Sequence, residues 1–594
     1  MDYILKERRL FLFALIISIL FLYGSINISY NMYDEGIVVY GASRILKGDM
    51  PYRDFWTMYA PGQFYTVAFL FKIFGENLFV TRVYSATINL LIGLLVYFIV
   101  RKVSDERLAL LSLVLSTLWM GGWGLFYSSP TPSGTFWSLL GIYFVIDFLC
   151  TEKISSLFTG GIITGIGAIF RHDIGGYTFI ASTIVILFYA YLKISDRSIK
   201  DTIKLWGRYL AGTVAGFLPF AIYFLVNVPF GEIIYDLIIF PGRVFLRVRD
   251  LPYPGFGFNL YSFLFYFPII IYLISGIFIV LNIFKLKYFK GNEWVNLLFL
   301  ILGLFFFNQA WVRSDVPHLL PTIIPAIMLL SSLYKSELIK ILGRGEIIIK
   351  ILLLLMGFIL TLALYLNALK GLVIAVYALP LVLGTVISLI IYIPVQFRRF
   401  YRDIPAKATL QVVSLVLSVF VIFSCFRDFK GVSIQRIFSF KIPGLVTSQF
   451  ERAKGIYVFQ GQETYLEPAI KIVRANTKPD ELIFVGNSRH DRIFINDVMF
   501  YFLCERHSAT KYHELHPGLA NTRKVQLEII DELKRNNVKI IVLWNGAENV
   551  VEPNESSVST GVNDLDDFIR LNYATIMYLG PYRILQRITG GEIG

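Results

Sequence analysis

The sequence predicts a polytopic α-helical membrane protein over residues 1–428, with about 13 transmembrane helices, followed by an extracytoplasmic α/β domain over residues 429–594. Three observations carry this expectation. Of 594 residues, 56% are hydrophobic and 16% charged, with 52 Phe and 35 Tyr, a mixture too apolar and aromatic for a soluble multidomain chain. Runs of about 20 apolar residues recur up to about residue 430, each long enough to cross the hydrocarbon core of a bilayer as a helix. Beyond about residue 428 the composition becomes an ordinary soluble mixture, so a separate domain starts there.

The first apolar run, centred near residue 19, follows Lys6, Arg8 and Arg9. Its flanks suit a signal peptide, but Tyr23-Gly24-Ser25 is a poor small-residue cleavage site, so an uncleaved first helix is expected. Further span centres fall near residues 89, 116, 141, 163, 184, 217, 273, 303, 326, 357, 383 and 417. Alternate connections are basic: Arg101, Lys102 and Arg107; Lys153; Lys193 to Arg208; Lys285 to Lys290; Lys335 to Lys350; and Arg398 to Lys407. The preference of Lys and Arg for the cytoplasmic side puts this whole set inside. A missed span would have inverted every later loop, and the alternation never breaks. An integral protein of the plasma membrane, with its C-terminal domain outside, is therefore expected.

The formal charge of +13 then reads as topology, because the basic residues are scattered among apolar runs and do not form one face. Nucleic-acid binding is not expected. Cys150, Cys425 and Cys504 show neither metal-ligand nor disulfide-framework spacing.

In the terminal domain, residues 482–486 and 539–544 are β-branched runs that read as buried strands. Between them Asn521 or Thr522 is placed to cap a helix with Val525, Ile529 and Leu533 on one face, widened by Leu527 and Ile530. Residues 575–579 and 582–586, separated by Gly580-Pro581, predict a terminal hairpin.

Four stretches on the expected outer side carry charge where loop topology does not need it: residues 29–60, 227–262 and 308–318, and the turn Arg171-His172-Asp173. Ionisable groups at such positions are costly and mark the place to look for function. Within the first outer loop, about residues 29–77, Asp34 and Glu35 precede a run with Val38, Ala42 and Leu46 on one face, which predicts a short helix near the outer membrane surface. Spacing leaves two readings open: Asp34 as the N-cap with Glu35 on the helix dipole, or a carboxylate pair kept for chemistry. Capping favours the ionised form, which suits a base better than an acid.

The segment DEGIVVYGASRILKGDMPYRDFWTMYAPGQFY, followed by FKIFGENLFVTRVYS, resembles the first outer loop of GT-C glycosyltransferases, in the branch of protein O-mannosyltransferases and lipid A aminoarabinose transferases. The resemblance is strongest over residues 30–100, and FRHDIGGY at 170–177, RDLPYP at 249–254 and RSDVPHLLP at 313–321 resemble later segments of that superfamily. It implies a GT-C fold and inverting transfer of a sugar from a polyprenyl- or dolichyl-phosphate carrier to a protein, lipid or polysaccharide acceptor on the outer face, among membrane lipids. It also implies a general base at Asp34, with Glu35 beside it. The chemistry agrees: a hydroxyl is a weak nucleophile that a positioned carboxylate activates, and a lipid phosphate leaves without help from an acid.

The leaving phosphate needs cations, and Arg249, Arg313 and His318 are the expected donor-phosphate contacts, with Arg243 and Arg247 behind them; a planar guanidinium pairs two phosphate oxygens at once. The resemblance places an acid of the 171–173 turn near the first-loop carboxylates. Asp173, with His172, Arg171 and Tyr59, is therefore expected to contact the acceptor or support the site from behind, Asp173 also being placed to pair with Arg171. A divalent cation would become an option if Asp34 and Asp173 converged, but monophosphate-using relatives work without one, and no cofactor is expected. Arg53 and Asp54 read as a surface ion pair. The histidines of His513-Glu514-Leu515-His516 lie at i and i+3, not the i and i+4 that a zinc-protease helix requires. The alternative function is a transporter or flippase for a lipid-linked glycan. Such proteins often carry paired repeats and interrupted helices, which this sequence lacks, whereas a long acidic first loop and a large outer domain favour an enzyme.

Overall fold

The computed structural model of the chain describes residues 2–24, 26–121, 127–193, 199–256, 260–286, 291–333 and 445–588. The span centres expected near residues 357, 383 and 417 and the domain boundary at 428/429 lie outside these residues. The N-terminal part is helical: α1 (Asp2–Tyr23), α2 (Asp34–Leu46), α3 (Gly62–Phe74), α4 (Leu78–Val103), α5 (Glu106–Gly121), α6 (Pro130–Thr151), α7 (Ile154–Phe170), α8 (His172–Lys193) and α9 (Ile199–Asn227). A broken segment follows, made of α10 (Phe230–Ile234), a π-helical stretch (Tyr235–Phe245) and the single turn α11 (Leu246–Val248). Then come α12 (Leu260–Leu286), α13 (Glu293–Val312) and α14 (Val316–Leu333).

Among the described residues, six helices are long and apolar enough to cross a membrane: α4, α6, α8, α9, α13 and α14. The remaining span centres expected up to residue 326 fall inside α1, α5, α7 and α12. Local sequence sets several boundaries. The Asn77 side chain caps α4 by accepting from Phe79 N at 2.7 Å, and Ser129 caps α6 with Pro130 at its first position. Helices α7 and α9 meet through glycines. A Cβ on Gly161, Gly165, Gly212 or Gly216 would stand 2.1 to 2.2 Å from a backbone oxygen of the other helix, the close approach that small residues allow between apolar helices.

The C-terminal part is an α/β unit. A ribbon of β1 (Leu445–Thr447) and β2 (Tyr457–Phe459) precedes a five-stranded sheet in the order β4-β3-β5-β7-β6. Its strands are β3 (Leu482–Asn487), β4 (His507–Ser508), β5 (Ile540–Trp544), β6 (Tyr573–Leu579) and β7 (Tyr582–Arg587). Strands β4, β3 and β5 are parallel, while β7 and β6 form the expected hairpin and join antiparallel to β5. The helices are α15 (Gln460–Asn476), α16 (Met499–Cys504), α17 (Arg523–Arg535) and α18 (Asp564–Asn572). In α17 Val525, Ile529 and Leu533 are buried as expected. Leu527 is instead 44% exposed, because it lies outside the stripe that covers the sheet. Thr522 holds the N-cap position without a side-chain capping bond, its hydroxyl donating back to Leu519 O at 2.7 Å, and the Asn521 side chain accepts from Gly518 N at 2.8 Å.

The two parts share a core. Side chains of α2 and α3, among them Ile37, Tyr40, Phe64 and Phe71, pack with Ile456, Leu466, Ile470 and the buried helix α16. A Cβ at Gly36 would lie 2.5 Å from Met499 N, and that amide donates to Met32 O at 2.9 Å. The chain entering α2 also adds a rung to the ribbon, with Tyr457 N donating to Asn27 O at 2.7 Å and Ser29 N to Tyr457 O at 2.6 Å. The middle of helix α2 is therefore covered: Glu35 to Arg44 are all buried.

Candidate active site

Where the helical bundle meets the C-terminal domain, a cavity of about 620 Å³ opens. All four charged stretches singled out by loop topology contribute to its lining: Asp34 and Tyr59 from the first loop, Arg171, His172 and Asp173 from the α7–α8 turn, Arg249 from the broken segment, and Arg313 and His318 from the α13–α14 connection. The C-terminal domain adds His516.

Asp34 is the first residue of α2, not its N-cap. Tyr33 holds the N-cap position without a side-chain cap bond, and Asn31 Oδ1, in the turn before it, accepts from Asp34 N at 2.8 Å and Tyr33 N at 3.1 Å. Relieved of capping, the Asp34 side chain lines the cavity, where the Tyr127 hydroxyl donates to its Oδ2 at 3.1 Å. Burial pushes its pKa above the ordinary 3.8, against the Tyr127 bond and the nearby Arg249 and His318. The carboxylate is thus more basic than an exposed one.

Glu35 does not share this setting. It is fully buried behind α2 and clasped by Arg82, with Nε to Oε1 and Nη2 to Oε2 both at 2.7 Å. Arg82 also donates to the carbonyls of Ile26 and Ile28 at 2.9 Å and of Ser29 at 2.5 Å, so the pair shapes the turn leading into α2. The expected partnership of Asp34 and Glu35 at the reacting centre is corrected: one peptide bond along a helix rotates the second carboxylate by roughly 100°, off the cavity.

Arg171 forks onto Asp173, Nε to Oδ1 at 2.9 Å and Nη2 to Oδ2 at 3.0 Å, as expected, and donates to Thr131 Oγ1 at 2.6 Å. Asp173 also accepts from Gln309 Nε2 at 2.8 Å. Tyr59 lies on the wall, its carbonyl accepting from the Tyr52 hydroxyl at 2.8 Å. Arg313 reaches Asp315 at 2.7 Å and, from the C-terminal domain, both oxygens of Glu552 at 2.5 and 3.0 Å. Arg249 is 3.5 Å from the same Glu552 and stands over the ring of Phe494 at 4.5 Å. His318 Nδ1 meets Asp315 Oδ1 at 2.6 Å. The three expected phosphate contacts therefore converge, whereas Arg243 and Arg247 are exposed and do not line the cavity. Asp34 and Asp173 line one cavity, each held by protein partners, and among the described residues no three His, Cys, Asp or Glu side chains group as a metal cage.

Several participants were not anticipated. Arg82, near the start of an apolar helix, carried a readable signal, because a lone cation there needs a buried partner. Tyr127, Gln309 and Glu552 carried none. Glu514, set aside with the rejected zinc pattern, is fully buried and accepts from the Tyr33 hydroxyl at 3.2 Å. Burial pushes its pKa up to about 8. His516, packed among Trp56, Phe240 and Phe245, is pushed down to about 3 by burial.

With this geometry in place, residues 59–223 match the family model of dolichyl-phosphate-mannose-protein mannosyltransferase. A solved structure of ArnT from Cupriavidus metallidurans, bound to undecaprenyl phosphate, superposes with a TM-score of 0.52 at 13% identity, covering 99% of this chain and 98% of that one. The chain has the GT-C fold. Oligosaccharyltransferase of Archaeoglobus fulgidus gives a TM-score of 0.42 at 12% identity over 90% of this chain and 68% of its own. An uncharacterized protein of Aquifex aeolicus is 28% identical over 220 residues, which are 35% of this chain and 42% of that protein's length, so the match spans less than half of that relative. In the GT-C frame this is an integral membrane protein, and its cavity lies between the first loop and the C-terminal unit.

Proposed function

We propose that the protein is an inverting glycosyltransferase that moves a sugar from a polyprenyl- or dolichyl-phosphate carrier to an acceptor hydroxyl on the outer face of the plasma membrane. One observation carries the reading: a single cavity holds a half-buried carboxylate of raised basicity, Asp34, together with Arg249, Arg313 and His318. Asp34 takes the proton of the acceptor hydroxyl as its oxygen bonds to the anomeric carbon. The bond from that carbon to the phosphate oxygen breaks, and the lipid phosphate departs against the two guanidinium groups and the imidazole. One base suffices, because displacement at the far face inverts the carbon and the phosphate needs no proton to leave. Similarity to the mannosyltransferase family over residues 59–223 and to an ArnT that binds undecaprenyl phosphate supports the donor class. Asp173, fixed by Arg171, borders the acceptor, and the C-terminal unit, described over residues 445–588, is the outer domain that closes the site.

The test is transfer from radiolabelled polyprenyl-phosphate sugars to candidate acceptors by the purified protein in nanodiscs, wild type against Asp34→Asn. Carrier-dependent transfer abolished by the substitution is the expected result. Transfer at full rate in the variant would remove Asp34 as the base, and movement of labelled lipid across a bilayer with no sugar transferred would establish a transporter instead.

A further inference from the structure

We propose that Gln309 reads a hydroxyl of the donor sugar; the assignment rests on the glycosyl-transfer reading above and gives that site a specificity element. Gln309 lines the cavity from α13 and is more than nine-tenths buried, at 6% exposure. Its Nε2 donates to Asp173 Oδ2 at 2.8 Å. Asp173 in turn is clasped through both oxygens by Arg171 and accepts from Ile174 N at 2.8 Å, so it is an ionised acceptor and can take only a donor from Gln309. The amide cannot turn over without setting its own oxygen against a carboxylate. Its Oε1 is thereby presented as an acceptor, and among the described residues no donor reaches it. A buried acceptor left without a partner is unfavourable, and a ligand hydroxyl supplies the missing donor.

Place on the helix says which ligand. Arg313 N donates to Gln309 O at 3.1 Å, so the two residues are one turn apart on one face, about 5.4 Å along the axis. With the donor phosphate on Arg313, the next turn of α13 stands beside the sugar attached to that phosphate. Tyr177, whose hydroxyl accepts from Asn308 Nδ2 at 2.9 Å, borders the same wall. A site built around a fixed acceptor rejects a ligand lacking the complementary hydroxyl far more strongly than an apolar wall rejects a change in size.

The experiment uses full-length protein in nanodiscs and the decaprenyl-phosphate hexose that the wild type transfers fastest from a gluco, manno and galacto panel, alongside its 2-, 3-, 4- and 6-deoxy analogues. The wild type should discriminate against one deoxy donor by at least about tenfold in kcat/KM, and Gln309→Met should abolish that discrimination while leaving the ranking of the others. Binding of undecaprenyl phosphate, which carries no sugar, should be unchanged and reports that the variant is folded. Should Gln309→Met fail to fold, Asp173→Asn serves in its place: it releases the amide from its fixed orientation and should reduce the same discrimination. An unaltered deoxy profile in a folded variant overturns the assignment, as does an effect confined to deoxy acceptors. If the wild type transfers none of the panel sugars, glycosyl transfer falls and this assignment with it; transfer with an unaltered profile overturns the Gln309 assignment alone.

Discussion

Two arginine–glutamate pairs, one behind α2 and one at the rim of the cavity, use the same chemistry in different surroundings. In the pair Arg82–Glu35 the side chains are 3% and 0% exposed, and the remaining guanidinium protons are absorbed by backbone carbonyls of the turn before α2. In Arg313–Glu552 they are 10% and 12% exposed, and the same guanidinium lines an open cavity with Arg249 and His318 nearby. The first pair is closed on itself. The second joins a transmembrane helix to the C-terminal domain, and its cation remains within reach of an anion in the cavity. Asp34 and Glu35 repeat the contrast at adjacent positions.

The largest effect that would sharpen this contrast comes from Asp34. Asp34→Asn should lower kcat by about 10²- to 10⁴-fold, the range for losing a positioned base, while the variant melts with the wild type; a comparable loss in Glu35→Gln without unfolding would erase the distinction between the two carboxylates. The raised pKa of Asp34 also places the acid limb of the kcat/KM profile above the usual carboxylate range, since the base works only when ionised. A profile flat down to pH 4 would contradict it.

Behind α2 the expected loss is in stability. Arg82→Met leaves the Glu35 charge buried and alone, a situation that costs about 3–5 kcal/mol. Adding Glu35→Gln should return much of that loss in a detergent melt. Two additive penalties would show that the pair is not a unit.

At the rim, Arg313→Ala should raise the apparent KM for the lipid-phosphate donor about tenfold or more, with little change in acceptor KM. The opposite pattern would move Arg313 to the acceptor side. Glu514 titrates between these extremes. Its carboxyl is raised from 4.5 to about 8, so between those values the folded state holds a proton that the unfolded chain releases, and stability falls as pH rises through the window. Glu514→Gln should therefore stabilise the protein by an amount that grows from pH 4.5 to about 8, on the order of a few kcal/mol at most. A constant difference across that range would show that the carboxyl is not the titrating group. The smallest effect belongs to Glu552→Gln, which weakens the carboxylate's hold on Arg313 and should lower donor KM severalfold; a higher KM would mean that Glu552 orients the arginine for phosphate.

Much of this was legible in sequence because the membrane simplifies the physics. Apolar runs must form helices there to satisfy their backbone, and basic loops sort by side, so the exceptional charges of residues 29–60, 171–173, 227–262 and 308–318 stand out in the sequence itself. Each of the four stretches proved to give residues to one cavity. Strands β3 and β5, α17 and the hairpin of the terminal domain followed from local periodicity, whereas β1, β2 and β4 were too short to read, and Leu527 was misplaced because a stripe one residue wider has the same period. The broken helical segment before α12 was read only as a charged loop, since a run with Pro241 and scattered arginines carries no clear helical signal.

The sequence by itself determined that helices cross an apolar medium, that a soluble α/β unit follows, and that a few misplaced charges gather the chemistry. Only the tertiary structure decided which charges are spent on each other. Glu35 found Arg82 47 residues away, and Arg313 found Glu552 239 residues away. Gln309 was oriented by Asp173 across 136 residues. Such pairings follow from the relative placement of packed elements, and burial then fixes how strongly each pair holds. Helical period and loop charge are local quantities; neither encodes a distance in space.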